Sequence, residues 1–198
     1  MSAADGVPPS ECPPGETEWD GEAYQRRVNE LAASGVHIHG EADLVASFGP
    51  LTVLDAGCGT GRVAAELAER GHDVVGIDRD SSMVATAQAL APGVDFRVAD
   101  VAEAQLGRTF HLVLMAGNVP LFTPVGTQSA LVAGCARHLA PGGRLVAGFQ
   151  LGRGYALDEY DAACMAAGLD LKIRWSTWDM APFGPDAEYA VSVHRLPA

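Results

Sequence analysis

Val53-Leu54-Asp55-Ala56-Gly57-Cys58-Gly59-Thr60-Gly61 reads as the end of a short strand running into a glycine-rich turn. The strand begins at Leu51, and Asp55 closes its apolar part. Gly57, Gly59 and Gly61 carry no Cβ, so the backbone can turn sharply there and approach a ligand. From Arg62 to Arg70 the pattern becomes helical, with Val63 and Leu67 on one face and Gly71 as the C-terminal stop. Strand, glycine turn and helix together open a nucleotide-type α/β unit. The acid is the distinguishing feature. A loop built for a dinucleotide pyrophosphate has no carboxylate in that place, because like charges repel. Asp55 therefore points to a ligand with a positive group near the loop.

Outward from this stretch the pattern repeats. Asp73 to Asp78 is a second strand closed by an acid, and an acid in that place can accept both hydroxyls of a ribose. Val94 to Asp100 is a third alternating strand, again ending in an acid, and Phe110 to Ala116 is a nearly apolar fourth. Leu139-Ala140-Pro141-Gly142-Gly143-Arg144-Leu145-Val146 runs from a helix end through a Pro-Gly-Gly turn into a fifth. Helices are expected over residues 20–34, 40–48, 81–90, 128–139 and 157–167, the fourth with Leu131, Cys135 and Leu139 as its buried stripe. The end of the chain changes character. Leu169, Leu171, Ile173 and Trp175 alternate with polar residues, as do Tyr189, Val191 and Val193, and no helix separates the two runs. They read as an antiparallel pair.

With these pieces in place, the chain resembles the class I S-adenosylmethionine-dependent methyltransferases over about residues 40 to 196. The glycine loop, Asp78, Asp100 and the Leu-Ala-Pro-Gly-Gly turn fall in that family's order and spacing. The resemblance implies a three-layer α/β sandwich, Rossmann-like, whose seven-stranded mostly parallel sheet ends in an antiparallel pair. It implies S-adenosyl-L-methionine as cofactor, direct methyl transfer to a small or medium-sized acceptor, and a cofactor site made of Asp55, Gly57, Cys58, Gly59, Gly61, Asp78, Arg79, Met83, Asp100, Val101 and Ala116. A binding module without turnover, and a nicotinamide-dependent oxidoreductase, are the alternatives from other classes. Asp55 and the terminal strand pair speak against the second.

Composition bounds the rest. At 198 residues with 48% hydrophobic content the chain suits one domain with an ample core. Net charge is −12, and residues 1 to 22 hold six acids, four prolines and no Lys or Arg. Residues 1–14 are therefore expected to be a disordered acidic tail, 15–49 a helical cap, and 50–198 the cofactor-binding core. No basic cluster marks a nucleic-acid partner. No apolar run approaches a membrane span, and a secretory signal is not expected. Four scattered cysteines, one of them in the glycine loop, suit a reduced cytoplasmic setting, as a monomer or homodimer.

Candidates for the chemistry lie at the acceptor side. Alignment behind an activated methyl group can supply roughly 7–11 kcal/mol without covalent help from the protein. His39 is the candidate base and Asn118 the candidate orienting residue; for Asn118 a turn role is the competing reading. Met115 to Phe122 departs from the Asn-Pro-Pro-Tyr pattern of methyltransferases acting on nucleic-acid amino groups. His37, His39 and Glu41 have the spacing of a partial metal site but no further ligand nearby, so no metal is assigned. The acceptor pocket is expected to be bounded by Tyr24, Arg27, His37, His39, Asn118, Leu121, Phe122 and Trp178. The loop from Ser176 to Ala187 is expected to wall a pocket or an interface, with simple packing against the core as the competing reading. His111 reads as structural; His72, His138 and His194 read as surface or edge positions.

Overall fold

A computed structural model describes residues 20–49 and 51–198. The expected tail, residues 1–14, lies outside them. Two helices come first, α1 (Gly21–Ala33) and α2 (Gly40–Ala46). Strands and helices then alternate: β1 (Thr52–Ala56), α3 (Arg62–Glu69), β2 (Asp73–Asp78), α4 (Ser81–Leu90), β3 (Asp95–Val98) and β4 (Phe110–Met115). After β4 come the one-turn α5 (Val119–Phe122), α6 (Gln128–Arg137), β5 (Leu139–Gln150), α7 (Leu157–Ala166), β6 (Asp170–Trp175) and β7 (Tyr189–Arg195). The seven strands form one sheet in the order β3-β2-β1-β4-β5-β7-β6. β1 to β5 pair in parallel, and β7 lies antiparallel between β5 and β6. Among the described residues no helix is long and apolar enough to cross a membrane.

Strand alternation divides the core into two layers. Val53, Val74, Leu112, Leu114, Val146, Val191 and Val193 face one side, against Val63, Ala64 and Leu67 of α3 and Val84 and Ala87 of α4. Leu54, Val75, Ile77, Val113, Met115 and Leu145 face the other, against Leu131, Val132 and Cys135 of α6 and Tyr160 and Cys164 of α7. Both faces are covered, which is what a mostly parallel sheet requires. The cap is fastened at its ends. Asp20 caps α1 by accepting the Ala23 N–H at 3.0 Å, and the Gly21 N–H reaches Ser82 Oγ on α4 at 3.0 Å.

Three expectations need correction. The Pro141-Gly142-Gly143 stretch does not separate a helix from β5. It belongs to β5, and the register against β4 jumps from Phe110↔Leu139 to Leu112↔Arg144 to absorb the extra residues. In β6 the apolar alternation does not keep one face. A bulge between Leu171 and Ile173 pairs them with the consecutive residues His194 and Val193, so the two side chains leave on opposite faces, each 45% exposed. His72, His138 and His194 are buried. His194 is the instructive case, because β7 is an interior strand and both its faces are covered. It lies edge-on to Tyr160 with its Nε2 3.5 Å from the Asp161 carboxylate, and burial pushes its pKa down to about 4. His138 ends α6 with Nδ1 2.8 Å from Gly134 O, while His111 is tied to Thr52 as expected of a structural residue.

The long β6–β7 connection packs rather than walls the cleft described below. Trp178 is buried and donates from Nε1 to Tyr189 Oη at 3.3 Å, filling the space that a side chain at Gly148 would need. A Cβ at Gly148 would sit 2.2 Å from Trp178 Cζ2 and 2.8 Å from Tyr189 Oη. Gly148→Ala is therefore expected to cost about 1–3 kcal/mol through overpacking. A thermal melt checks this, and a midpoint unchanged within a degree would refute it.

Candidate functional site

The sheet order reverses between β1 and β4, and a crevice opens beyond their carboxyl ends. It holds a cleft of about 410 Å³. The ends of β1, β2, β3 and β4 each give it one wall. From β1 and its turn come Asp55, Gly57, Cys58, Gly59 and Thr60, and from β2 and the start of α4 come Asp78, Arg79, Asp80 and Met83. The segment after β3 supplies Asp100 and Val101, and the end of β4 supplies Ala116 and Gly117. Of the residues expected to hold a cofactor, only Gly61 is off this surface. It starts α3 instead, and a Cβ there would lie 2.6 Å from Phe96 Cζ.

The acids differ in how they are held. Asp78 accepts the Gly59 N–H and the Asp80 N–H, each at 2.9 Å, so it shapes the glycine loop while about half of a carboxylate's roughly four acceptor positions stay open. Burial raises its pKa, against the pull of those two N–H groups. Asp80 is the N-cap of α4, bonding Ser82 N and Met83 N, and Asp100 accepts Ala102 N at 2.8 Å. Asp55 is 1% exposed, and among the described residues its Oδ1 has no hydrogen-bond partner. Burial lifts its pKa to about 7, opposed by the nearby Arg62 charge. Burial also raises the Cys58 pKa well above the usual thiol range, so it lines the cleft as an apolar group. Gly59 has φ +53 and a Cβ there would meet nothing within 4 Å, so the loop backbone is bare toward the open side.

Arg62 and Tyr24 line the cleft as well. Nothing local in the sequence marks Arg62 beyond its place at the first turn of the helix after the glycine loop. Its guanidinium holds Glu41 of α2 in a two-point pair at 2.7 and 3.0 Å and also donates to Ile38 O. Thr60 Oγ1 donates to Gln25 of α1 at 2.6 Å, so the cap is joined to the loop at a second point. α5 and α6 add Phe122, Thr127 and Leu131, and Arg79 donates to Phe122 O at 3.3 Å.

A methyltransferase-domain family model matches residues 53–143. A TehB-like SAM-dependent methyltransferase of Corynebacterium glutamicum superposes with a TM-score of 0.84 at 35% identity, covering 90% of this chain and 98% of that one. The chain belongs to the class I S-adenosylmethionine-dependent methyltransferases. The trans-aconitate 2-methyltransferase of Acidovorax ebreus is 33% identical over 130 residues, 65% of this chain and 48% of that protein. The chain thus spans about half the length of that curated relative, or less for others. The CcbJ methyltransferase of Streptomyces caelestis, at 23% identity and TM-score 0.73, covers 80% of this chain and 90% of its own, and shares the fold.

The cleft of this methyltransferase fits its family's cofactor. A buried carboxylate with one oxygen unbonded suits an ammonium group, a half-open one suits hydroxyls, and a bare glycine backbone admits close approach. The expected acceptor wall fits less well. Of its eight residues only Tyr24 and Phe122 line the cleft. α2 is turned toward α3 by ion pairs, which carries the histidines away: His37 bonds Asp43 at 2.6 Å, and His39 Nδ1 lies 3.4 Å from Glu66. Arg27 stacks 5.8 Å over the Tyr24 ring. His37, His39 and Glu41 thus turn to three different partners.

Asn118 is buried in a left-handed turn at φ 68, and its Oδ1 accepts the Gln150 N–H at 2.8 Å. This is the turn reading, with the side chain bracing β4 against β5 rather than facing the cleft. Asn118→Ala should cost about 1–3 kcal/mol by orphaning that N–H, measurable as a shift in the urea midpoint; an unchanged midpoint would remove the brace.

Asp55 gives a pH prediction. Below about pH 7 its carboxyl carries a proton in the free cleft, so capture of an ammonium must release that proton; above it, no release is needed. Affinity for S-adenosylhomocysteine should therefore fall from pH 8 to pH 6, by at most roughly tenfold per unit. Calorimetry reads the effect, and Asp55→Asn should abolish the slope. A slope kept in that variant would assign it to another group.

Proposed function

We propose that this chain transfers the methyl group of S-adenosylmethionine to a small or medium-sized acceptor. The observation that carries the reading is the Asp55 carboxylate, buried beside the glycine loop at the reversal of strand order, with its Oδ1 unbonded among the described residues. In this reading Asp55 meets the cofactor's ammonium, Asp78 its ribose hydroxyls and Asp100 the adenine. Gly59 lets the backbone close on it, Gly57 lines the site beneath Val119, and Gly61 sets α3 against Phe96. Cys58, Met83, Val101 and Ala116 form apolar walls, and Arg79 spans the rim to Phe122. The bound cofactor supplies a methyl group already activated on a sulfonium.

The protein's part is alignment and exclusion of water, which need no general base. His39 and Asn118 accordingly have no chemical step in this proposal. Small acceptors are supported by relatives named for trans-aconitate and magnesium-protoporphyrin. Nucleic acid is disfavoured by the net charge of −12. The same reading keeps α1 and α2 as the cap and the described residues from 51 to 198 as the core; residues 15–19 of the expected cap lie outside the described residues. It places the chain in the cytoplasm, with Cys58, Cys135 and Cys164 reduced as they stand in the fold.

Labelled S-adenosylmethionine incubated with a panel of small carboxylic acids, phenols and amines tests the activity. Cofactor binding without methyl transfer to any of them would favour a binding module, and tighter binding of NAD would overturn the assignment. Asp78→Ala should weaken S-adenosylhomocysteine binding at least about tenfold, since each charge-assisted hydrogen bond contributes about 1.5–3 kcal/mol. Unchanged affinity with an intact fold would move the ribose elsewhere.

A further inference from the structure

The Arg62–Glu41 pair ties α2 to α3, but stability alone does not account for it. Both side chains are largely shielded, 18% and 5% exposed, and a buried ion pair seldom stabilises a protein more than apolar residues of the same volume would. Its arrangement suggests another use. Arg62 lines the cleft close enough to Asp55 for its charge to be the main influence opposing the burial of that acid. Yet Asp55 Oδ1 is left without a hydrogen bond. Arg62 instead spends both terminal nitrogens on Glu41, with Ile38 O taking a further bond, and Glu41 is not itself a cleft residue. A guanidinium beside two carboxylates has been drawn onto the one outside the site.

We propose that Glu41 is a positioning residue that holds the Arg62 guanidinium off Asp55, and so keeps the Asp55 carboxylate open for the ammonium of the cofactor's amino-acid end. This rests on the methyltransferase reading above. The geometry explains why a cap helix contributes a buried acid at its second residue. It also gives the cap a defined part in cofactor binding: α2 touches the ligand only through what it does to Arg62. Without the Glu41 charge, the planar fork of Arg62 keeps the attraction of the Asp55 carboxylate, and the site would neutralise itself.

The test compares two probes on the full chain. S-adenosylhomocysteine carries the amino-acid end, and 5′-methylthioadenosine is the same nucleoside without it. Calorimetry should show Glu41→Gln weakening S-adenosylhomocysteine by about tenfold or more while 5′-methylthioadenosine changes less than about twofold. Adding Arg62→Met to that variant removes the competing cation, so S-adenosylhomocysteine affinity should return to within about threefold of the original. Equal loss of both probes in Glu41→Gln would mark a merely structural role and overturn the proposal, as would unchanged affinity. Failure of the second substitution to restore binding would overturn it too, by showing that Arg62 itself holds the ligand. If Glu41→Gln does not fold, the apolar pair Glu41→Met with Arg62→Met carries the test: near-original affinity supports the proposal, and a tenfold loss refutes it. A wild-type chain that binds neither probe would refute the cofactor reading itself, an outcome distinct from all of these.

Discussion

Asp55 stands at the carboxyl end of a central strand, 1% exposed, and an ionised carboxylate in such a place costs several kcal/mol unless a charge or hydrogen bonds answer it. Much of the surrounding structure can be understood as a partial answer. The Arg62 charge lies near, but its hydrogen bonds go to Glu41. The free protein meets the rest of the cost by lifting the pKa of the acid to about 7. A site that neutralised Asp55 fully would be more stable and would have less to offer a cation. Stability and recognition conflict at this one carboxylate, and the observed compromise leaves one oxygen unbonded.

Topology decides where that conflict can arise. β1 and β4 are neighbours, but the chain leaves their ends in different directions, into α3 on one side and α5 on the other. No helix can cover the gap between them. The three glycines of the turn then act for three separate reasons. Gly57 lies under Val119, whose Cγ2 would be 2.6 Å from an added Cβ. Gly59 faces open space, and Gly61 lets Phe96 and Ala87 close on the start of α3. A motif that reads as one feature is thus a contact to α5, a bare edge toward the cleft and a packing contact to the layer of α4.

The elements were legible because each carries its own period, and the strand-end acids were legible because strand ends in such sheets face the crevice. Asp55, Asp78 and Asp100 could be placed on the cleft without any knowledge of what packs where. The histidines of the cap could not, since the direction of α2 depends on Asp43 meeting Arg70, 27 residues away, and on Glu41 meeting Arg62, 21 residues away. For the same reason the pattern of β7 shows which of its residues share a face but not that Tyr160 and Asp161 of α7 cover the side of His194. The β6 bulge follows a similar rule. A sequence shows alternation, whereas a one-residue slip in pairing changes which face each side chain takes.

The balance of charge in the cleft has a consequence for turnover under the proposed reading. Asp55, Asp78 and Asp100 face it, while one of its two arginines is already bound to Glu41. S-adenosylmethionine brings an ammonium, a sulfonium and a carboxylate; the demethylated product lacks the sulfonium charge. The attraction between a positive charge and a carboxylate is stronger in a cleft shielded from water than in bulk solvent. An acid-rich cleft therefore loses attraction for its ligand as the methyl group departs, and the loss falls on the product. The contacts to ribose and adenine are the same before and after, so they contribute binding without discriminating. Under that reading, discrimination between reactant and product rests on the summed charge of the cleft's carboxylates, which gives the chain a reason to keep Asp55 open despite what its burial costs.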